Sequence, residues 1–256
     1  MRYFLTLLMT FFVIVSADAQ RWKLTRYEAC AGVGFINYFG DVGGTSLEKN
    51  WYGLKDINLF RTRPALSAGA RYKTTEESAV KLNLILMWLN GNDKNGDNYY
   101  RKYRFNTIGL EHSLQFEYAL LREDRRKISY AIYNRRGLIS SYTKKGVYLF
   151  GGLGGNINYI FLKRDSSNYV PTIDITKKGF NFSGVVFGGV MIKFIYNNYY
   201  AFSFEFGGRY ILNDYIDGLT TKISKFNDIY YFTNFSIIYR IKTSRKGYPI
   251  LFKRYY

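Results

Sequence analysis

His112 is the chain's one imidazole and Cys30 its one thiol. An acyl-transfer or hydrolytic site built on an activated nucleophile needs a base beside that nucleophile, most often a histidine. Alternation along 105–120 puts His112 on one face with Leu110, Leu114 and Phe116 and turns it away from Glu111. It is therefore expected at an apolar interface, and no catalytic residue is assigned. No Cys/His constellation offers a metal site, and no cofactor is implied. The stretch 91–98, GNDKNGDN, brings Asn92, Asp93, Asn95, Asp97 and Asn98 together but lacks the closing glutamate of a calcium loop. It reads as a polar loop tip. Cys30 reads as a small packing residue, and a single cysteine leaves no internal disulfide. Glycines at 32, 34, 151, 152, 154, 155, 188, 189, 207 and 208 fall inside strand patterns, not between a strand and a helix. The phosphate-cradle reading lacks its context there; barrel curvature and room for interior side chains suit them.

The element that would position any such group is best seen in residues 180–218. Phe182, Gly184, Val186, Gly188, Val190, Ile192 and Phe194 alternate with a set that contains Ser183 and Lys193. After Tyr196-Asn197-Asn198-Tyr199 the pattern resumes: Phe202, Phe204, Phe206, Gly208 and Tyr210 against Ser203, Glu205, Gly207 and Arg209. Period two over arms this long predicts two strands joined by a tight turn, with asparagines that tolerate positive φ. Strands of this length cross a bilayer when tilted, and their polar set must then face a closed interior.

Alternating runs recur at 26–38, 63–73, 79–89, 105–120, 147–161, 182–196, 200–212 and 230–242. They predict an all-β chain folded as an eight-stranded antiparallel transmembrane β-barrel with a plugged polar lumen. The 26 tyrosines and 21 phenylalanines suit aromatic girdles at two interfaces, and only three prolines interrupt the ladders. Residues 1–19 read as a signal peptide: Arg2, an apolar run from Phe4 to Val15, then Ala17-Asp18-Ala19 with cleavage before Gln20. The domains expected are the signal at 1–19, an outer-membrane barrel at 20–242 and a basic aromatic periplasmic tail at 243–256. With both termini periplasmic, 40–62, 90–104, 162–181 and 213–229 face outside, while 74–78 and 197–198 are short inner turns. Residues 121–146 are long where a short turn is expected. Either the strand count is off by one there, or the connection is a periplasmic feature with its own purpose.

The polar sets converge on the lumen. A charge network of Glu28, Arg71, Lys81, Glu111, Glu117, Lys193, Glu205, Arg209 and Arg240 is expected, with Gln115, Asn156 and Asn234 beside it. Charges of both signs in so narrow an interior pair and fill it, which favours a closed plug over the alternative, a small-solute or hydrophobic-compound outer-membrane channel. The net charge of +18 suggests nucleic acid at first sight, but its distribution argues otherwise. Most of it falls on the periplasmic side, where Arg122, Arg125, Arg126, Arg135, Arg136, Lys144, Lys145, Arg245 and Lys246 are among the cations. Attraction to phospholipid head groups accounts for such a rim, and so does docking of an acidic periplasmic partner.

Phe206-Gly207-Gly208-Arg209-Tyr210 followed by Asn213-Asp214-Tyr215-Ile216-Asp217 resembles the strand-seven signature of PorG-type outer-membrane barrels of the Bacteroidota type IX secretion system. Arg63-Pro64-Ala65, Gly109-Leu110-Glu111 and Tyr148-Leu149-Phe150-Gly151-Gly152-Leu153-Gly154 agree with it. Where such barrels tend to carry a further acid, this chain has Gly218-Leu219-Thr220. The resemblance implies a non-enzymatic outer-membrane component. It would tie a periplasmic ring lipoprotein and its partner, in the secretion and gliding machinery, to the membrane and its lipids.

Overall fold

The structure is a computed structural model and describes residues 21–40, 42, 62–95, 99–123, 126–127, 141–142, 145–164, 174–213, 215–221, 227–244 and 248–250. The signal expected at 1–19 lies outside them. Eight long strands run Tyr27–Phe39 (β1), Arg63–Lys73 (β2), Ser78–Asn92 (β3), Tyr103–Leu121 (β4), Lys145–Arg164 (β5), Gly179–Ile195 (β6), Tyr200–Ile211 (β7) and Ile229–Ile241 (β8). Each pairs antiparallel with its chain neighbours, and β1 closes the sheet on β8 from Tyr27 opposite Ile241 to Phe39 opposite Ile229. Closure leaves no free edge, so every strand finds its hydrogen bonds within the wall.

An even strand count sets both chain ends at one rim, here called the terminal rim, together with the turns after β2 and β6. The connections after β1, β3, β5 and β7 share the opposite, loop rim. Because β4 and β5 pair directly, from Tyr103 opposite Arg164 to Leu121 opposite Val147, the long connection after β4 belongs to the terminal rim. The strand count therefore holds, and the connection carries a small ladder of its own, Arg126–Lys127 against Ser141–Tyr142. The turn after β6 differs from expectation in mechanism. Lys102 is the one non-glycine residue with positive φ among those described, so the asparagines are not left-handed. Instead the Asn197 side-chain oxygen accepts the Tyr199 and Tyr200 amides at 2.8 and 2.7 Å, an Asx-type closure.

Alternation sorts the side chains by face. Val33, Phe35, Leu66, Leu82, Leu84, Leu110, Leu114, Phe116, Leu153, Val186, Phe202, Phe235 and Ile237 point outward and are exposed. Glu28, Arg71, Lys81, Glu117, Lys193, Glu205 and Arg209 point inward and are buried. Apolar outside and charged inside inverts the soluble arrangement and suits a wall solvated by lipid. Rings flank the apolar band at both rims. Tyr27 meets Tyr72 and Tyr200 meets Tyr239 near the terminal rim, while Tyr159 contacts Phe161 and Phe180 near the loop rim.

Facing glycines on β6 and β7 make room for one interior ring. Gly189 pairs with Gly207, and a Cβ there would lie 2.7 or 2.9 Å from Phe150 Cζ. A Cβ on Gly189 would also lie 2.2 Å from the Phe206 carbonyl oxygen, which is backbone and cannot swing away. Gly189→Val should therefore displace the Phe150 ring and lower the unfolding free energy by about 1–3 kcal/mol. The urea midpoint of the barrel in lipid vesicles reads this, and a midpoint equal to the wild type contradicts the packing.

Candidate functional site

The lumen is where the chain concentrates its polar chemistry, and its contents are layered. Nearest the terminal rim lies a charged layer centred on Glu28, the second residue of β1. Its carboxylate meets Lys193 at 2.7 Å, Arg71 at 2.8 Å, Lys73 at 3.4 Å and Arg240 at 3.7 Å. Arg71 continues to Glu117 at 2.6 Å, Gln115 donates to Glu117 at 3.0 Å, and Lys81 pairs with Glu205. These come from seven strands, brought together because each sits at an inward position near the same height. Of five cations and four carboxylates, counting Glu123 below, none is more than 6 % exposed. Desolvation on that scale is offset by pairing, and each of these ions has an opposite charge within 4 Å.

Two members, Lys73 and Glu123, lie outside the set expected from the sequence. Lys73 ends β2 in step with Arg71 and so faces the lumen. Glu123 lies beyond β4, past a register shift between Ala119 and Leu121, and folds back across the terminal mouth. There it pairs with Lys73 and lies 2.9 Å from Lys193, an ion pair whose geometry falls short of a hydrogen bond. The terminal mouth is thus closed by a carboxylate from the long connection itself.

At mid-height Arg209 Nε donates to Glu111 at 3.1 Å, and Tyr230 donates to the same carboxylate. The guanidinium is packed among rings, 4.5 Å from the Phe232 centroid and 5.1 Å from that of Phe187. Above this layer the lumen becomes apolar. Ile36, Ile85, Met87, Leu89, Phe105, Ile160, Leu162 and Ile211 form one buried cluster, which Ile216 and Leu219 of the connection after β7 enter from above. Two aspartates pin that connection in the mouth. Asp217 accepts the Val42 and Leu219 amides at 3.0 and 2.9 Å, and Asp228 accepts the Ile216 amide at 3.1 Å and the Tyr38 hydroxyl at 2.6 Å. Within the Asn213-to-Asp217 motif, Ile216 and Asp217 therefore cap the loop rim. Gly218 follows with φ +79°, and a Cβ there would lie 2.5 Å from the Lys177 carbonyl oxygen. The turn lets Leu219 drop into the apolar cluster where an acid would not pack.

All nine charged residues expected in the lumen are inside it. The polar plug occupies the terminal half and shares the lumen with the apolar plug above. The basic rim is less completely described. Arg122 is half-exposed and pairs with Glu76 at 3.2 Å and with Glu77, and Lys145 lies over the Phe194 ring at 5.6 Å. For Arg126 only the backbone is described, and Arg125, Arg135, Arg136, Lys144, Arg245 and Lys246 lie outside the described residues. His112 is exposed on the outer wall while Glu111 faces in, as alternation requires. Cys30 packs with Ala201 and Ile238. Asp93 is buried, accepting the Tyr103 amide at 3.1 Å and facing Arg101, so its carboxylate serves the loop; Asp97 and Asn98 lie outside the described residues.

Neither a family model nor a curated protein matches the chain. Among solved structures it is similar to the N-terminal β-barrel domain of Pseudomonas aeruginosa OprF, at 11 % identity and TM-score 0.41, over 84 % of this chain and 97 % of that one. It is similar also to Neisserial surface protein A, at 9 % identity and TM-score 0.41, covering 84 % and 96 % of the two chains. A third, the attachment invasion locus protein Ail of Yersinia pestis, shows 10 % identity and TM-score 0.40, covering 84 % and 99 %. The eight-strand closure rests on the ladders of this chain itself.

Glu28 is the member of the charged layer with most partners, so its loss should cost most. Glu28→Gln is expected to lower the unfolding free energy by about 3–5 kcal/mol, because the cations around it lose their shared counter-charge. Adding Lys193→Met should recover part of that loss. Denaturant unfolding in lipid vesicles checks both; a single variant within about 0.5 kcal/mol of the wild type contradicts the central role of Glu28.

Proposed function

We propose that the protein is a non-enzymatic outer-membrane barrel that anchors periplasmic components of the type IX secretion and gliding machinery. The single observation that carries the non-transporting part is the filling of the lumen. Glu123 lies across one mouth, Ile216 and Leu219 lie across the other, and ion pairs and packed apolar side chains occupy the space between. A route for small solutes would need those groups to part, so the channel reading has no observation in its favour. Location in the outer membrane is supported by the outward apolar band between two sets of rings and by the signal-like start of the sequence.

With the lumen closed, the surfaces left to act are the rims. The long connection after β4 sits on the terminal rim, which faces the periplasm in this reading, and its sequence holds Arg125, Arg126, Arg135 and Arg136. Its root is held by Glu123 inside the lumen and by Arg122 against the neighbouring turn, a fixed base for a segment whose sequence is basic. Such a segment suits an acidic protein surface, for which the ring lipoprotein and its partner are the candidates. Assignment to the type IX machinery rests on the motif resemblance around 206–217.

Charge reversal of Arg125, Arg126, Arg135 and Arg136 to glutamate should reduce recovery of periplasmic proteins with the detergent-solubilised barrel by at least about tenfold, on the scale of roughly 1.4 kcal/mol per decade. Quantitative mass spectrometry of the pull-down reads this. Recovery equal to the wild type overturns the docking role, and loss of proteins unrelated to secretion overturns the type IX assignment alone.

A further inference from the structure

One side of the lumen breaks the layering. The inward positions of β4 between the charged layer and the cap are Glu117, Gln115, Ser113, Glu111, Gly109 and Thr107, without an apolar side chain among them. On β5, Asn156 lies opposite Glu111 and Asn158 opposite Gly109; on β6, Ser183 and Asn181 continue the line. A polar seam therefore climbs through the half of the lumen that is elsewhere filled by Ile85, Met87, Phe105 and Ile160.

The seam is hydrogen-bonded at its two ends and broken in its middle. At the lower end Asn83 donates to Gln115 at 3.0 Å, and Gln115 leads on to Glu117 and Arg71. At the upper end the exposed Lys177 donates to Asn181 at 2.8 Å, Asn181 to Ser183 at 3.2 Å, and Ser183 to Asn213 at 2.7 Å. Between them Ser113 Oγ, Asn156 Oδ1, Asn158 Oδ1, Asn158 Nδ2 and Arg209 Nη1 have no partner, although none of these four residues is more than 3 % exposed. Both asparagine oxygens turn toward the bare Cα of Gly109: a Cβ there would lie 2.3 Å from Asn158 Oδ1 and 3.2 Å from Asn156 Oδ1. For Asn158 both ends of the amide are unmet, so turning it over changes nothing.

We infer that Ser113, Asn156, Asn158 and Arg209 form a binding site for internal water. The unmet atoms are of both kinds, which selects the ligand. A cation needs acceptors alone and would be repelled by Arg209; an anion needs donors alone and would face the two amide oxygens. Water donates and accepts, and so serves an amide oxygen and a guanidinium nitrogen alike. Five unmet atoms at about three bonds per buried water call for about two molecules. With them in place the middle of the seam is hydrogen-bonded like its two ends, inside a barrel that remains closed to solutes. The site is independent of any docking role at the rims.

The test uses the full chain in lipid nanodiscs, with oxygen-17 magnetic relaxation dispersion counting long-lived internal waters. Asn158→Leu should lose at least one relative to the wild type. Ser113→Ala, a smaller change, carries the same comparison if Asn158→Leu does not fold. A count equal to the wild type in the folded variant overturns the site.

Discussion

Lipid offers no hydrogen bonds, and that deficit shapes everything inside this barrel. Once the apolar set of each strand faces the bilayer, the opposite set is forced inward, whatever its charge. Glu28 is where the consequence is sharpest, because four cations from three other strands converge on its carboxylate. The charged layer is less a device for stability than the only arrangement in which those side chains can be enclosed at all. Neutralisation then requires every gap to be filled, and Glu123 from the long connection supplies a carboxylate that the strands lack.

Closure follows from the same requirement at the other rim, by different chemistry. There the interior is apolar, and Asp217 and Asp228 hold the connection after β7 down so that Ile216 and Leu219 complete the cluster. A tyrosine–carboxylate–guanidinium layer, Tyr230 with Glu111 and Arg209, separates the two regimes. The arrangement explains why a motif that looks like a family marker, Asn213 to Asp217, also has a structural role, since its Ile216 and Asp217 cap the loop-rim mouth. It also leaves the rims, and not the lumen, as the surfaces able to meet other molecules in solution.

Much of the barrel was legible in the sequence because period two is a strong signal wherever the two faces differ. Lys193 against Phe194 or Arg209 against Tyr210 fixes the inward face without ambiguity. The signal fades in the loop-rim half, where both faces are apolar: on β3, Ile85, Met87 and Leu89 point in while Leu84 and Leu86 point out. Polarity alone could not reveal that half of the plug. Lys73 was recoverable from its parity with Arg71, but Glu123 was not, since the register shift after Ala119 and a change of direction break the alternation. Asn197 illustrates a subtler limit: the residue signalled a turn correctly, yet it acts through its side-chain oxygen and not through a left-handed backbone.

A lumen occupied throughout its length is the property on which every functional reading of this barrel depends, and electrical recording addresses it directly. Purified full-length protein inserted into a planar lipid bilayer should give no steady current above the bare membrane at either polarity. A reproducible ohmic conductance from the wild type, persisting at low voltage, would show an open path through Glu28, Glu111 and the apolar cap, and would contradict the closed lumen.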